Sequence, residues 1–255
     1  MKKVFFVLLP LLACFSCGKD TATNATIELR LTDGPGSFEA VLIDVQGAEV
    51  HVNKDTANSS GWQPLTVRTG IYDILKLNNG VDTILGSTVL PLGDVSEIRL
   101  LLGANNSVKV GGTTFPLSIG SADKSGLKLK FEKKLVAGIS YKVSLDFDAA
   151  KSVKEVKKGA EYKMKPTLRL FTDAENGSIR GEIAGATCKT VVYAIQGTDT
   201  LTSSFPSTVG SFVLQGLNTG TYRVTAIGES PCATKFIDNV KVEIGKATNV
   251  GKIQF

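Results

Sequence analysis

Apolar and polar residues alternate from residue 26, where Ile27, Leu29 and Leu31 fall at every second position. A period of two is the pattern of a strand with one buried face. The turn residues Asp33-Gly34-Pro35-Gly36 then close the run. Residues 40–52 repeat the alternation as Val41, Ile43, Val45 and again as Ala48, Val50, Val52, which predicts two short strands. Residues 53–61 are a polar loop, and Trp62 behind it is expected to lid an edge of the core. Only residues 70–77 depart from the period: Ile71, Ile74 and Leu75 sit near helical spacing until Asn78-Asn79-Gly80, so a short helix or irregular turn belongs there. Further strand-like runs cover residues 83–89, 97–102, 107–110, 127–135, 140–147 and 165–171, punctuated by Gly, Asn or Pro. Short strands at this spacing predict an antiparallel sandwich or barrel.

The composition turns polar at residues 172–177, and a second set of strands follows. Residues 178–183, 190–196, 199–202, 210–214, 216–224, 235–242 and 248–255 give about seven, with Phe212, Leu214, Leu217, Tyr222 and Val224 able to point inward. The expected fold class is therefore all-β: two antiparallel β-sandwich-like domains, 25–173 and 176–255, with at most short helices.

The first 17 residues are different in kind. Lys2 and Lys3 precede an apolar run from Val4 to Ala13, broken by Pro10. Spanning a bilayer takes about 20 apolar residues, so this run reads as a secretory signal peptide rather than a membrane helix. The segment resembles a bacterial lipoprotein signal, in which a cysteine becomes the lipidated first residue of the mature chain. Cys17, followed by Gly18-Lys19-Asp20, gives the more usual signal length and resembles the lipoprotein ends of Bacteroidetes, where a Lys/Asp-rich stretch accompanies display on the outer face. Cys14, in Leu11-Leu12-Ala13-Cys14, fits the general pattern better and stays as the alternative. Residues 18–24 are small and polar and read as a flexible tether. The resemblance implies an outer-membrane lipoprotein whose membrane partner is reached through the lipid.

Composition sharpens this picture. With 42% hydrophobic and 21% charged residues the chain can bury a core. The net charge is +5, and removing Lys2 and Lys3 with the leader leaves 27 basic against 24 acidic residues, spread along the chain, which argues against nucleic acid as a partner. Cys188 and Cys232 remain after the leader, and export permits their oxidation to a disulfide.

Catalytic chemistry is hard to find. His51 is the one histidine, on the face opposite Val50 and Val52, and cannot by itself build a zinc site or a Ser-His-Asp arrangement. Phosphate-binding and dinucleotide glycine patterns are missing from the sequence. Asp146 and Asp148 share a face of one strand, and with Asp33 from a turn they could offer oxygen ligands to Ca²⁺, the one cofactor the sequence suggests. The same pair is the least favoured reading, a glycoside hydrolase. Asp148 could instead cap a helical turn at residues 149–156. Among Trp62 and the five tyrosines, Trp62 is the candidate for ligand stacking.

Two resemblances complete the reading. Residues 31–35 (LTDGP), Trp62, Asp73-Ile74-Leu75-Lys76-Leu77, Glu97-Ile98-Arg99-Leu100, Ser125-Gly126-Leu127-Lys128, Leu145-Asp146-Phe147-Asp148 and Lys165-Pro166 resemble, in order, domain-of-unknown-function family 4382. That family looks like bacterial envelope lipoproteins and supplies no catalytic or binding residue to carry over. Residues 210–214 (GSFVL) and 217–222 (LNTGTY) resemble the carboxypeptidase-regulatory-like, transthyretin-like sandwich, a module that implies no peptidase. The expected function is a non-catalytic surface binding or adhesion component, with carbohydrate or protein as ligand. The alternative is a structural spacer or assembly subunit of an envelope complex.

Overall fold

A computed structural model describes residues 23–53, 61–120 and 125–255. The expected lipidation at Cys17 or Cys14, the signal peptide and most of the tether lie outside the described residues, as does most of the loop before Trp62. Among the described residues, no helix is long and apolar enough to cross a membrane.

The first module carries β1 (Asn24–Gly34), β2 (Ala40–Asn53), β3 (Trp62–Pro64), β4 (Thr66–Val67), β5 (Gly70–Asp73), a 3-10 turn (Ile74–Lys76), β6 (Thr83–Pro91), β7 (Asp94–Leu102), β8 (Ser107–Val110), β9 (Thr113–Ile119), β10 (Leu127–Lys134), β11 (Ser140–Asp148), helix α1 (Ala149–Ser152), β12 (Val153–Lys157), β13 (Glu161–Met164) and β14 (Leu168–Phe171). One sheet runs β14-β11-β1-β6-β4; the other runs β10-β7-β2-β8-β9-β13-β12, with β3 and β5 also paired to β2. Alternation turns Ile27, Leu29 and Leu31 of β1 and Val143, Leu145 and Phe147 of β11 into one core with Val41, Ile43, Val50, Ile98 and Leu100 of the facing sheet. Fully burying each such side chain contributes roughly 1.5–3 kcal/mol before chain entropy is counted.

The second module carries β15 (Gly177–Ala184), β16 (Thr190–Gln196), β17 (Asp199–Ser204), β18 (Ser211–Leu217), β19 (Gly220–Gly228), β20 (Lys235–Val242) and β21 (Ala247–Gln254). Its sheets are β18-β15-β21 and β17-β16-β19-β20, closed over a separate core of Ile179, Val192, Phe212, Leu214, Tyr222 and Val224. The turn after Leu217 passes from one sheet to the other, since β18 and β19 belong to different sheets. Tyr222 holds that corner: its ring is buried, and its hydroxyl donates to the Asn218 carbonyl at 2.8 Å.

The fold is all-β, with several local differences from the expectation. The sheets are mixed rather than purely antiparallel: β1 with β11, β9 with β13 and β15 with β21 run parallel. β1 does not stop at the Asp33-Gly34 turn signal but pairs with β11 through Gly34, in register with Asp148. Residues 40–53 are one strand, not two, because the register shifts between Val45 and Gly47. A bulge adds one residue and moves the buried set by one position, which is why Val45 and Ala48 both face inward. β9, β12 and β13 were not expected. Pro116 interrupts the first, and charged residues obscure the period of the other two.

Candidate functional site

The three candidate carboxylates come together near the ends of β1 and β11, but each has a structural role. Asp33 is buried beside the start of α1, where its Oδ1 accepts the Ala149 N–H at 3.0 Å. Its Oδ2 is buried without a partner. Burial pushes this carboxyl well above the ordinary carboxylate range, and the charges of Asp146 and Asp148 push the same way against the Ala149 and Gly34 amides. Asp146, also buried, accepts the Arg169 Nε–H at 2.6 Å. Asp148 caps α1, accepting the Lys151 N–H at 2.9 Å, as its place before a helical turn suggests.

Among the described residues no three His, Cys, Asp or Glu side chains group as metal ligands. Arg169 pairs with Asp146, and backbone amides donate to Asp33 Oδ1 and Asp148 Oδ1.

Arg169 also ties the two modules together. Its Nη1 donates to the Gly216 carbonyl at 2.9 Å and its Nη2 to the Gln215 carbonyl at 3.0 Å, both on β18. Asn79 docks on the same strand and its neighbour β17: its Nδ2 donates to the Ser211 carbonyl at 3.0 Å, and its Oδ1 accepts the Val213 N–H at 2.8 Å and the β17 Ser204 hydroxyl at 3.2 Å. Asn79 adopts φ 58°, a left-handed conformation that asparagine tolerates better than most residues. Gly216, at φ 66°, lets β18 approach: a Cβ there would lie 2.7 Å from the Phe171 ring. Between these contacts lies a cavity of about 10 Å³ lined by Thr32, Asp33, Asn79, Asp146 and Thr202 among others, room for about one water.

Trp62 does not lid the core. It lies opposite His51 on the solvent side of the β2–β3 pair, half-buried. The His51 ring meets it edge-on at 5.0 Å, and the Arg99 guanidinium lies 4.2 Å from its ring centroid. Arg99 is in turn ion-paired with Glu49, and Lys128 Nζ is 5.7 Å from the indole. His51 Nδ1 is 2.8 Å from the Ser96 hydroxyl. Gly61 permits this packing, since a Cβ there would come 2.6 Å from His51 Nε2. The indole is thus packed beside an imidazole edge and a guanidinium and stays half-buried.

Cys188 and Cys232 are joined in a disulfide, with Cα atoms 6.4 Å apart and 44 residues of separation. Sequence reasoning missed the junction residues Asn79 and Arg169, whose residue types are common on surfaces. Only the Asn-Asn-Gly turn signal hinted at the left-handed backbone of Asn79.

A family model described as "Domain of unknown function (DUF4382)" matches residues 24–166. No curated protein matches the sequence. Among solved structures, the Bacillus anthracis TIE protein is 12% identical with TM-score 0.23 over 92% of this chain, which spans 34% of that one. GBS52, the minor pilin of Streptococcus agalactiae, is 11% identical with TM-score 0.22, covering 89% of this chain and 94% of that chain. A fimbrial protein from Bacteroides ovatus is 9% identical with TM-score 0.25, covering 92% and 50%. These are distant similarities to a pilin, a fimbrial protein and the TIE protein, and TM-scores this low do not establish a common fold.

Proposed function

We propose a function for a chain that belongs to the family described as Domain of unknown function (DUF4382). It is a non-catalytic, lipid-anchored protein of the cell envelope, held on the outer membrane through Cys17. There it acts as a surface binding or adhesion component for a carbohydrate or protein ligand. In this reading the second module is a carboxypeptidase-regulatory-like sandwich, supported by the sheet-crossing turn at residues 217–222 and the buried Tyr222.

The observation that carries the reading is where the carboxylates direct their hydrogen bonds. Asp146 to Arg169, Asp148 to the α1 amide and Asp33 to Ala149 are all structural contacts. The glycosidase alternative needs one of two acids free to give up its proton and the other free to meet the substrate, and the pairing of Asp146 with Arg169 and of Asp148 with the Lys151 amide supports the non-catalytic reading instead. The outer sheet faces are then the surfaces with chemistry to offer, and the Arg169 and Asn79 contacts hold the faces of both modules in one orientation.

Assembly by strand addition is the weaker reading. The edge strand β10 carries Lys128, Lys130, Lys133 and Lys134, and β12 carries Lys154 and Lys157. Lysines on an edge oppose pairing with another chain. The test is a screen of the full-length chain, purified in detergent, against arrays of glycans and cell-surface proteins. Specific binding supports the reading. Hydrolysis of any arrayed glycan contradicts it, and failure to bind any ligand moves the protein to the spacer role.

A further inference from the structure

The solvent side of the β17-β16-β19-β20 sheet carries a groove of about 550 Å³, within the roughly 300–1,000 Å³ range of small-ligand sites. Alternation along β19 sends Tyr222, Val224 and Ala226 into the core and Arg223, Thr225 and Ile227 outward. Tyr193, Thr225 and Phe236 stand in register across three strands, which places them on one face. Phe236 remains 59% exposed, with the Arg223 guanidinium 4.7 Å from its ring centroid. On β20 the ladder to β19 skips a residue at Asp238–Asn239, where Asn239 has φ 58°. The flanking Asp238 accepts two hydrogen bonds from Arg223, at 2.5 Å from Nε and 3.1 Å from Nη2. Thr225, only 8% exposed, has a hydroxyl without any partner.

We propose that this groove binds a neutral saccharide, with the apolar face of a sugar ring against Phe236 and its hydroxyls hydrogen-bonded to the Arg223–Asp238 pair. The inference rests on the binding reading above and names its ligand class and site. Arg223 and Asp238 carry the only charges among the residues lining the groove, and they cancel, so the complementary ligand is uncharged. An acidic glycan would meet the Asp238 carboxylate, and an apolar peptide would desolvate the ion pair without replacing its hydrogen bonds. Sugar hydroxyls both donate and accept, which suits a guanidinium beside a carboxylate, and the C–H face of a sugar suits an exposed aromatic ring. The unpaired Thr225 hydroxyl under the same face is a group that a bound hydroxyl would satisfy after a turn of its side chain. The kink at Asn239 and the lysines of β20 make that edge a poor template for a strand from a second copy.

The test uses the full-length chain in detergent. The probes are neutral hexasaccharides of α- and β-linked glucose, mannose, xylose and N-acetylglucosamine, with hyaluronan and heparin as acidic controls. At least one neutral probe is expected to bind. Phe236→Ala and Arg223→Ala should each weaken it at least about tenfold, a loss of one well-made contact. Both side chains lie on the surface, so an unchanged melting temperature shows that the variants fold. Thr225→Val should raise the melting temperature while weakening binding, two opposed changes that a purely structural hydroxyl would not produce. Trp62→Ala should leave binding unchanged. Neutral-saccharide binding that survives Phe236→Ala and Arg223→Ala, or is lost in Trp62→Ala instead, overturns the groove but keeps the binding reading. So does binding confined to the acidic controls. No binding of any saccharide overturns the groove, and no binding on the glycan and protein array above overturns the binding reading as well.

Discussion

Asp33 shows how one residue can link burial to pH dependence. Its carboxyl is held above the ordinary range chiefly by desolvation. The unfolded chain releases this proton near the usual carboxylate value, whereas the folded chain keeps it to higher pH. Across that window the folded state binds the extra proton, so stability falls as pH rises through it. Asp33→Asn keeps an oxygen for the Ala149 N–H and removes the titration. The variant should therefore gain on the wild type between pH 3 and pH 7, by about 1 kcal/mol or more at neutral pH, read from urea midpoints at both values. A wild type and variant that stay parallel across this range would contradict the burial argument. Arg169 carries the opposite lesson. Arg169→Met leaves Asp146 buried without its partner and frees two β18 carbonyls, which should cost about 2–3 kcal/mol in chemical unfolding.

At the scale of elements, the disulfide staples the start of β16 to the segment between β19 and β20. Closing 44 residues restrains the unfolded chain by about 4 kcal/mol in the loop-entropy model. Replacing both cysteines with serine should lower the stability of the second module by a comparable amount, with unfolding shifted to lower urea and the first module's core unaffected. Most elements were legible in the sequence because one buried face imposes a period of two. β8, β16 and β20 start and end where the alternation does. The failures share a physical cause: something local broke the period while long-range pairing restored the strand. The bulge in β2 made one strand look like two. The charges of β12 and β13 concealed strands defined by their partners. The direction of β11 beside β1 follows from how the chain returns across the sheet, which no local pattern records. The candidate site fared worse. Trp62 drew attention as the single tryptophan, whereas Phe236 lies in an expected strand whose alternation could not orient it, because the bulge in β20 turns its ring outward.

Among the described residues there are two separate apolar cores, and polar contacts from Asn79 and Arg169 join them. Five side-chain hydrogen bonds from Asn79 and Arg169 cross the junction. At roughly 0.5–1.5 kcal/mol each they can couple the unfolding of the modules. Calorimetry of the wild type should therefore give one transition, and the double variant Asn79→Ala, Arg169→Met should give two. Two transitions already in the wild type would show that the junction does not couple them. In the proposed reading, a coupled pair of modules on a lipid tether would hold its outer faces at a fixed angle to one another, which suits a protein that meets ligands from the cell surface.

That claim is tested most directly on intact cells. Cells expressing the full-length chain are laid on an array of glycans and surface proteins beside cells expressing Cys17→Ala and the Cys14→Ala, Cys17→Ala double variant at matched protein levels. Display and binding together predict adhesion to defined spots with the wild type and its loss when the lipidated cysteine is removed. Equal adhesion by all three, or wild-type protein detectable by antibody only after lysis, would contradict the account.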